Sequence, residues 1–410
     1  MKADVAVIGA GPAGLAAAIA AKENGAERVV VIDREKHLGG ILPQCIHNGF
    51  GLHIFGEELT GPEYADRYIR QAQQTDITFM METMVLQIDE DKRITAVGRQ
   101  TGMTKIEANA IVLAMGCRER SSGALMLPGQ RPSGVMTAGT AQRFVNMEGY
   151  MPGREVIILG SGDIGLIMAR RMTLEGADVK MVVELMPYSS GLTRNIVQCL
   201  DDFDIPLRLS HTVTKMHGDK RLAGVTVAAV DADLKPIEDS EEYVPCDTLL
   251  LSVGLIPENE LSRQLGIEMD SVTGGPVVGS DMQTSVPGVF ACGNALQVHD
   301  LVDFVTEESM RAGRAAAAYD SKKEPHAFFE TIAGEGVRYA APQRLVKDGS
   351  DKTIFFRVTD VTKKCRTAAV CGGKVIASEK KLRCAPGEME NLTVKGQDVT
   401  GDVTVRIEEA

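Results

Sequence analysis

The chain has 410 residues, a formal net charge of −12, 44% hydrophobic residues and 8 cysteines. That length exceeds what one ordinary core fills and predicts two or three domains. The acidic balance, with no Lys/Arg cluster, argues against a nucleic-acid partner. No run approaches a membrane-spanning apolar stretch, so no transmembrane helix is predicted. The cysteines are scattered, with no C-x-x-C and no export signal ahead of them, and predict reduced thiols in a cytoplasmic protein.

The first stretch, Val5 to Asp33, reads as strand, tight turn, helix and strand. Gly9, Gly11 and Gly14 form G-x-G-x-x-G. An Ala-rich helix follows and ends at Asn24 and Gly25, and the strand Val29–Ile32 leads into Asp33. Gly9 permits the turn, Gly11 lets a pyrophosphate approach the backbone, and Gly14 lets the helix pack close to the strand. The phosphates then meet free N–H groups at the helix N-terminus, and Asp33 can accept from an adenosine ribose. Glycines break the apolar run and no small-residue cleavage site follows, which excludes a signal peptide.

Residues 34–51 read as a loop rich in glycine and polar residues. Residues 57–75 read as a helix that restarts at Pro62. A series of short strands follows, the last of them buried and ending at Gly116. Residues 128–139 (P-G-Q-R-P-S-G-V-M-T-A-G) read as a surface crossing out of the first domain.

The opening pattern then returns. Glu155–Leu159 is a strand, Gly160, Gly162 and Gly165 form a second glycine turn, and a helix and the strand Val179–Val183 lead to Glu184. The spacing from third glycine to acid equals that from Gly14 to Asp33. Two such units argue for two nucleotides, and so for transfer between them. Strands are expected near residues 205–209, 224–230 and 247–254, a strand ending at Gly293 and Asn294, and then an Ala-rich helix. Residues 321–326 read as a linker and 327–410 as a small β-rich domain. Its Cys365, Cys371 and Cys384 are too irregularly spaced for a zinc signature and are expected to be buried or free thiols.

In this order G-A-G-P-A-G, A-M-G-C-R-E-R, G-S-G-D-I-G, S-V-G-L-I-P and T-S-V-P-G-V-F-A-C-G-N-A resemble the pyridine-nucleotide-dependent FAD oxidoreductases of the two-dinucleotide-fold, glutathione-reductase-like type, over residues 1 to about 320. The resemblance implies an α/β fold with two Rossmann-like domains and a small β-rich C-terminal domain. Residues 1–145 and 255–320 would bind FAD, 146–254 NAD(P)H, and 321–410 would form the β-rich domain. The FAD set it implies is Gly9, Gly11, Pro12, Ala13 and Gly14 at the pyrophosphate, Asp33 and Arg34 at the ribose, and Gly40 beside them. Val85 and Gly116 lie by the adenine, and Gly293 and Asn294 form the late flavin motif. The nicotinamide set is Gly160, Gly162, Asp163, Ile164, Gly165 and Glu184, with Gly254 on the strand that returns the chain. Glu184 faces a 2′-phosphate with like charge, and L-M-P-Y-S-S offers no Arg, so NADH is favoured over NADPH.

Two departures stand out. Asn294 replaces the family's usual Asp; an amide still hydrogen-bonds a ribityl hydroxyl or phosphate. The paired cysteines of disulfide reductases are missing: Cys45 occupies neither usual pair position, so dithiol exchange is not expected. Cys45, with His47 and His53, remains as candidate chemistry. Cys45 acts as a flavin-facing thiolate with His47 tuning it or moving protons, or it packs while the histidines satisfy loop carbonyls.

L-G-G-I-L-P-Q-C-I-H-N-G-F-G-L-H and the tail with F-F-R-V and A-P-G-E-M-E resemble a bacterial subgroup encoded beside a glycerol-3-phosphate dehydrogenase-like flavoprotein and a small Cys-motif protein. This implies an NADH-linked component of a redox complex. The expected activity is hydride transfer from NADH to FAD, with electrons passing to a partner subunit, oxygen or a small acceptor. The alternatives are an FAD-dependent dehydrogenase or oxidase of an amine or hydroxy acid, and an interaction subunit with structural FAD.

Overall fold

The structure, a computed structural model, describes residues 1–322 and 326–409; part of the expected linker, residues 323–325, lies outside them. The chain divides into two compact units, Met1–Cys117 with Pro257–Ala410, and Arg118–Ile256.

In the first unit the strands Thr78–Met80, Val29–Ile32, Lys2–Ile8, Gly102–Leu113, Arg93–Gly98 and Thr83–Ile88 lie side by side in that order. Gly102–Leu113 serves two neighbourhoods. Its first half pairs antiparallel with Arg93–Gly98, and its second half runs parallel to Lys2–Ile8 and to Val289–Ala291. The continuous apolar run Ala110–Leu113 is what a strand buried on both faces requires, and all of it is buried.

The helix Pro12–Glu23 is buried from Ala13 to Ala21. Its small side chains let the helix Val302–Ala317 approach so closely that a Cβ at Gly313 would lie 2.1 Å from the carbonyl oxygen of Ala17. The helix expected over 57–75 runs over Gly61–Gln73. Thr60 fixes its start: its side chain accepts from Glu63 N–H at 3.4 Å, and the Glu63 carboxylate takes the Thr60 N–H at 2.8 Å. This capping box outweighs the helical pattern of the preceding residues, and Leu59–Thr60 pairs instead with Asn48–Phe50.

The C-terminal residues form two sheets. One orders Arg344–Val346, Phe328–Ala333, Val403–Glu409, Thr362–Cys371 and Lys374–Cys384; the other orders Val337–Ala341, Lys352–Val358 and Glu390–Val394. Cys365, Cys371 and Cys384 are buried free thiols, with Cys365 Sγ 3.5 Å from Cys384 Sγ.

In the second unit a parallel sheet orders Val135–Thr137, Thr248–Leu251, Glu155–Leu159, Asp178–Val183 and Leu207–Arg208. A three-stranded antiparallel sheet, His211–Gly218, Leu222–Ala229 and Glu242–Pro245, completes the unit. The segment read as a surface crossing is part of it. Val135–Thr137 pairs with Leu249–Leu251, and Ala138 and Ala141 of the following helix are buried in its core. Residues 118–145, assigned by sequence to the first domain, thus lie in this unit, because a short apolar strand gains a ladder there that a crossing loop would lack. The return at Pro257 lies close to the position 255 expected from sequence.

Gly313→Ala is expected to destabilise the first unit by about 1–3 kcal/mol, the usual cost of forcing a methyl group into a closed backbone contact. Denaturant unfolding followed by circular dichroism measures it.

Candidate functional site

The first glycine turn is built from backbone meeting backbone. Gly9 has φ +110, and a Cβ there would lie 2.3 Å from Ala114 O; a Cβ at Gly14 would lie 1.7 Å from Gly9 O. Gly11 is different: the nearest atom to its would-be Cβ is Gly40 Cα at 3.8 Å, an ordinary contact rather than a clash. Gly40, with φ +59, faces it so closely that any side chain would strike Gly11 Cα at 2.8 Å. Pro12 opens the helix, Gly11 is its N-cap with no side-chain cap, and no acid lies in the first turn. Its leading N–H groups are therefore suited to an anion.

Asp33 supports this turn from within. Its Oδ2 accepts from Ala10 N–H at 2.5 Å and its Oδ1 from Glu35 N–H at 2.7 Å, while Arg34 is exposed. Val85 buries its side chain where the ladder with Arg93–Gly98 shifts register. Gly116 has φ +71 with open space beyond it.

Gly293 packs onto the same helix: φ is +66, and a Cβ would lie 2.7 Å from Ala13 Cβ. Its N–H donates to Glu308 Oε1 at 2.7 Å. Asn294 Oδ1 accepts from His299 N–H at 3.0 Å, and its Nδ2 lies 3.5 Å from Cys117 Sγ. Gln297 Nε2 donates to Glu308 Oε2 at 2.9 Å, and His299 Nε2 lies 3.3 Å from the same oxygen. Burial alone would raise the Glu308 carboxyl, but His299, Arg311 and Gln297 together outweigh it and hold the group below its usual range. Glu308 and Gln297 were not anticipated from sequence; two adjacent acids in an apolar helix, V-T-E-E-S, were the available signal.

The loop after Gly40 carries Cys45, His47 and His53. Cys45 Sγ donates to Ile41 O at 3.5 Å, and burial pushes the thiol up to about 12. At that value the thiol is protonated at neutral pH, which favours the packing alternative. Gly61 explains the tight seat: a Cβ there would lie 2.6 Å from Cys45 O. His47 Nδ1 lies 3.0 Å from Asn48 O, which fixes the proton on that nitrogen, and its ring lies 5.0 Å from Phe50. His53 stacks on Phe304 at 5.4 Å, and buried Asp303 accepts from Gly51 N–H at 3.2 Å and Ile54 N–H at 3.3 Å.

The second turn repeats the backbone geometry. Gly160 has φ +98, and a Cβ would lie 2.0 Å from Ser252 O; one at Gly165 would lie 2.6 Å from Gly160 O. Gly162 is again the uncrowded position, its nearest neighbour Ser252 Oγ at 3.6 Å. Gly254, φ +93, accepts from Arg120 N–H at 3.2 Å. The electrostatics differ from the first turn. Asp163 stands in the first turn of its helix, followed by half-buried Ile164, and its Oδ1 is taken by Leu192 N–H at 2.8 Å and Asn195 Nδ2 at 2.7 Å.

Glu184 is buried. Its Oε2 accepts from Ser161 N–H at 2.9 Å and Ser161 Oγ at 2.5 Å, and its Oε1 from Met186 N–H at 2.9 Å. Part of the capacity expected for a ribose is thus spent on the turn. Ser161, fully buried, was not anticipated, although G-S-G placed it in plain view.

Among the described residues no group of three His, Cys, Asp or Glu could hold a metal ion, and no helix is long and apolar enough to cross a membrane.

Two glycine turns of this form define a two-nucleotide oxidoreductase fold. The pyridine nucleotide-disulphide oxidoreductase family matches residues 3–318, and the chain belongs to it: by class it is an NAD(P)H-dependent FAD oxidoreductase. It is 25% identical to an opine oxidase subunit of Agrobacterium tumefaciens over 94% of this chain and 83% of that protein. It is 25% identical to hydrogen cyanide synthase subunit HcnB of Pseudomonas protegens over 76% of this chain and 68% of that one. Thioredoxin reductase of T. acidophilum shares the fold, with a TM-score of 0.63 at 22% identity, over 77% of this chain and 98% of that one.

With its thiol pushed up to about 12, Cys45 is expected to resist iodoacetamide at pH 8, while half-buried Cys117 is alkylated. Because only the thiolate reacts, the rate at Cys45 should rise about tenfold per pH unit above pH 8. Peptide mass mapping checks both.

Proposed function

We propose that this protein takes hydride from NADH through bound FAD and passes the electrons to a partner subunit, oxygen or a small acceptor. One observation carries the reading: the chain holds two glycine turns, each closed by backbone at its first and third glycines but uncrowded at its central one, and each with an acid at the end of the next strand. FAD, when bound, accepts hydride from a nicotinamide and can release the electrons one at a time or as a pair.

The chain's own residues bind and orient. Gly9, Gly11 and Gly14, with Gly40 facing them, hold the FAD pyrophosphate, and Asp33 the adenosine ribose. Val85 and Gly116 border the adenine, and Gly293 and Asn294 meet the ribityl chain. Gly160, Gly162 and Gly165 hold the second pyrophosphate. Glu184 faces the second ribose, where a 2′-phosphate would meet a like charge, which favours NADH. Hydride transfer needs no side-chain acid or base at that step, and a protonated Cys45 suits a packing role beside the flavin.

A second reading has its own support in the match to the Agrobacterium opine oxidase subunit over 94% of this chain. On that reading the flavin takes its electrons from an opine or a related amine. The resemblance to a subgroup found with a glycerol-3-phosphate dehydrogenase-like flavoprotein and a small Cys-motif protein also favours partner subunits.

Anaerobic mixing separates the readings. NADH is expected to bleach the flavin within seconds; bleaching by an opine or glycerol phosphate alone supports the second reading and rejects the first. Glu184→Gln, which removes the charge, should raise KM for NADH about tenfold, the scale of one charge-assisted hydrogen bond. It should also narrow the preference over NADPH, as steady-state kinetics with both nucleotides would show.

A further inference from the structure

The C-terminal strands reach into the flavin motif through one guanidinium. Arg357, on strand Lys352–Val358, donates through Nη2 to Val298 O at 3.1 Å and to Asp300 Oδ1 at 2.5 Å. Through Nη1 it donates to Pro386 O at 3.3 Å. Asp300 Oδ2 accepts from Met389 N–H at 2.6 Å. The segment Gly293–Asp300 is thus tied to two points of the tail, Arg357 and the turn Pro386–Met389. Phe355, from the same strand, adds an edge contact to His299 at 5.9 Å and packs on Phe304 at 5.4 Å.

The far end of the segment is held by a different device, Glu308 on the Gly293 N–H. Between the two anchors lies Asn294, whose Oδ1 is fixed by the His299 backbone. A displacement at Asp300 therefore reaches Asn294 through one short stretch of chain.

The pair Arg357–Asp300 is only 13% and 15% exposed. Ion pairs this withdrawn gain little net stability, because desolvation offsets most of the attraction. Their particular contribution is direction: a planar fork fixes several acceptors at once. Here those acceptors belong to the flavin segment and to the tail.

We propose that Arg357 is a positioning residue for the flavin, through which the β-rich tail sets the placement of Gly293 and Asn294. The inference rests on the assignment of those two residues to FAD in the proposed function. It gives the tail a task within the oxidoreductase unit.

Arg357→Lys keeps the charge but not the fork, and Asp300→Asn keeps the side-chain shape but not the charge. For both, the rate of FAD release after dilution of the holoprotein, read as the rise of free-flavin fluorescence, is expected to increase at least tenfold. The visible absorption bands of the bound flavin should change shape, and KM for NADH at saturating FAD should stay within twofold. Lys395→Gln, which removes an exposed ion pair with Asp351 on the same tail, should change none of these. Release is measured well below each variant's melting temperature by circular dichroism, so loss of fold does not mimic loss of position. Folded Arg357→Lys and Asp300→Asn proteins that release FAD within twofold of wild type, with unchanged spectra, overturn the proposal. A wild-type chain that binds no FAD overturns the flavin assignment itself, and this inference with it.

Discussion

The first unit depends on one short helix being approached by backbone from almost every side. Around Pro12–Glu23, would-be Cβ atoms at Gly14, Gly293 and Gly313 would meet Gly9 O at 1.7 Å, Ala13 Cβ at 2.7 Å and Ala17 O at 2.1 Å. The preceding turn is equally closed, with Gly9 against Ala114 O and Gly40 against Gly11. These contacts draw together segments far apart in sequence: the first turn, the loop after Asp33, the end of the central strand and the stretch at Gly293. The alanines of the helix make this convergence possible, and the glycines that meet it complete it. Gly11 alone in this turn is free of such a clash, at the N-terminus of the helix, where free N–H groups favour an anion.

The second unit repeats the turn but not its electrostatics. Gly160 and Gly165 close it against Ser252 O and Gly160 O, as Gly9 and Gly14 do in the first. Yet an acid, Asp163, stands in the first helical turn, where it would oppose an incoming phosphate. The structure draws that carboxylate aside through Leu192 N–H and Asn195. Ser161 then joins Glu184 to Ser190 N–H, so the acid at the strand end, the turn and the segment after the strand form one hydrogen-bonded group. A ligand at this turn therefore meets an organised segment over residues 189–195, which tethers the acid it is expected to use. At the first turn the Asp33 carboxylate takes the backbone N–H groups of Ala10 and Glu35, and the loop after it is tied on by Gly39 N–H to Ala10 O at 2.9 Å.

The strand–turn–helix pattern was legible in sequence because its constraints are local. Glycine at a positive φ and an apolar run buried on both faces each leave a signature within a few residues. The capping box at Thr60 and Glu63 was equally visible, and reading it would have moved the helix start from 57 to Gly61. The rest was hidden because its causes are distant. Val135–Thr137 becomes a strand only because Leu249–Leu251 supplies a ladder. Cys45 is buried because Gly61, on a separate element, lets the loop sink against the helix. No spacing rule could tie Arg357 to Asp300, since the pairing is made by the fold.

The buried polar groups of the first unit also have a common logic. Asp303, Thr306 and Glu308 lie along the buried part of the helix Val302–Ala317, and each holds a different piece of chain. Asp303 holds the loop at Gly51 and Ile54, Thr306 meets Tyr64 Oη at 2.8 Å, and Glu308 holds Gly293 and Gln297. Apolar side chains would pack this helix at no desolvation cost. Polar ones fix direction, because each carboxylate accepts only along its lone pairs. The loop bearing Cys45 and His47 and the segment bearing Asn294 are thereby referred to one rigid element. That element itself rests, through Gly313 on Ala17, on the helix that begins at the first glycine turn. Any group held at that turn and at Asn294 is therefore gripped by parts of a single framework, and the tail joins the framework through Asp300.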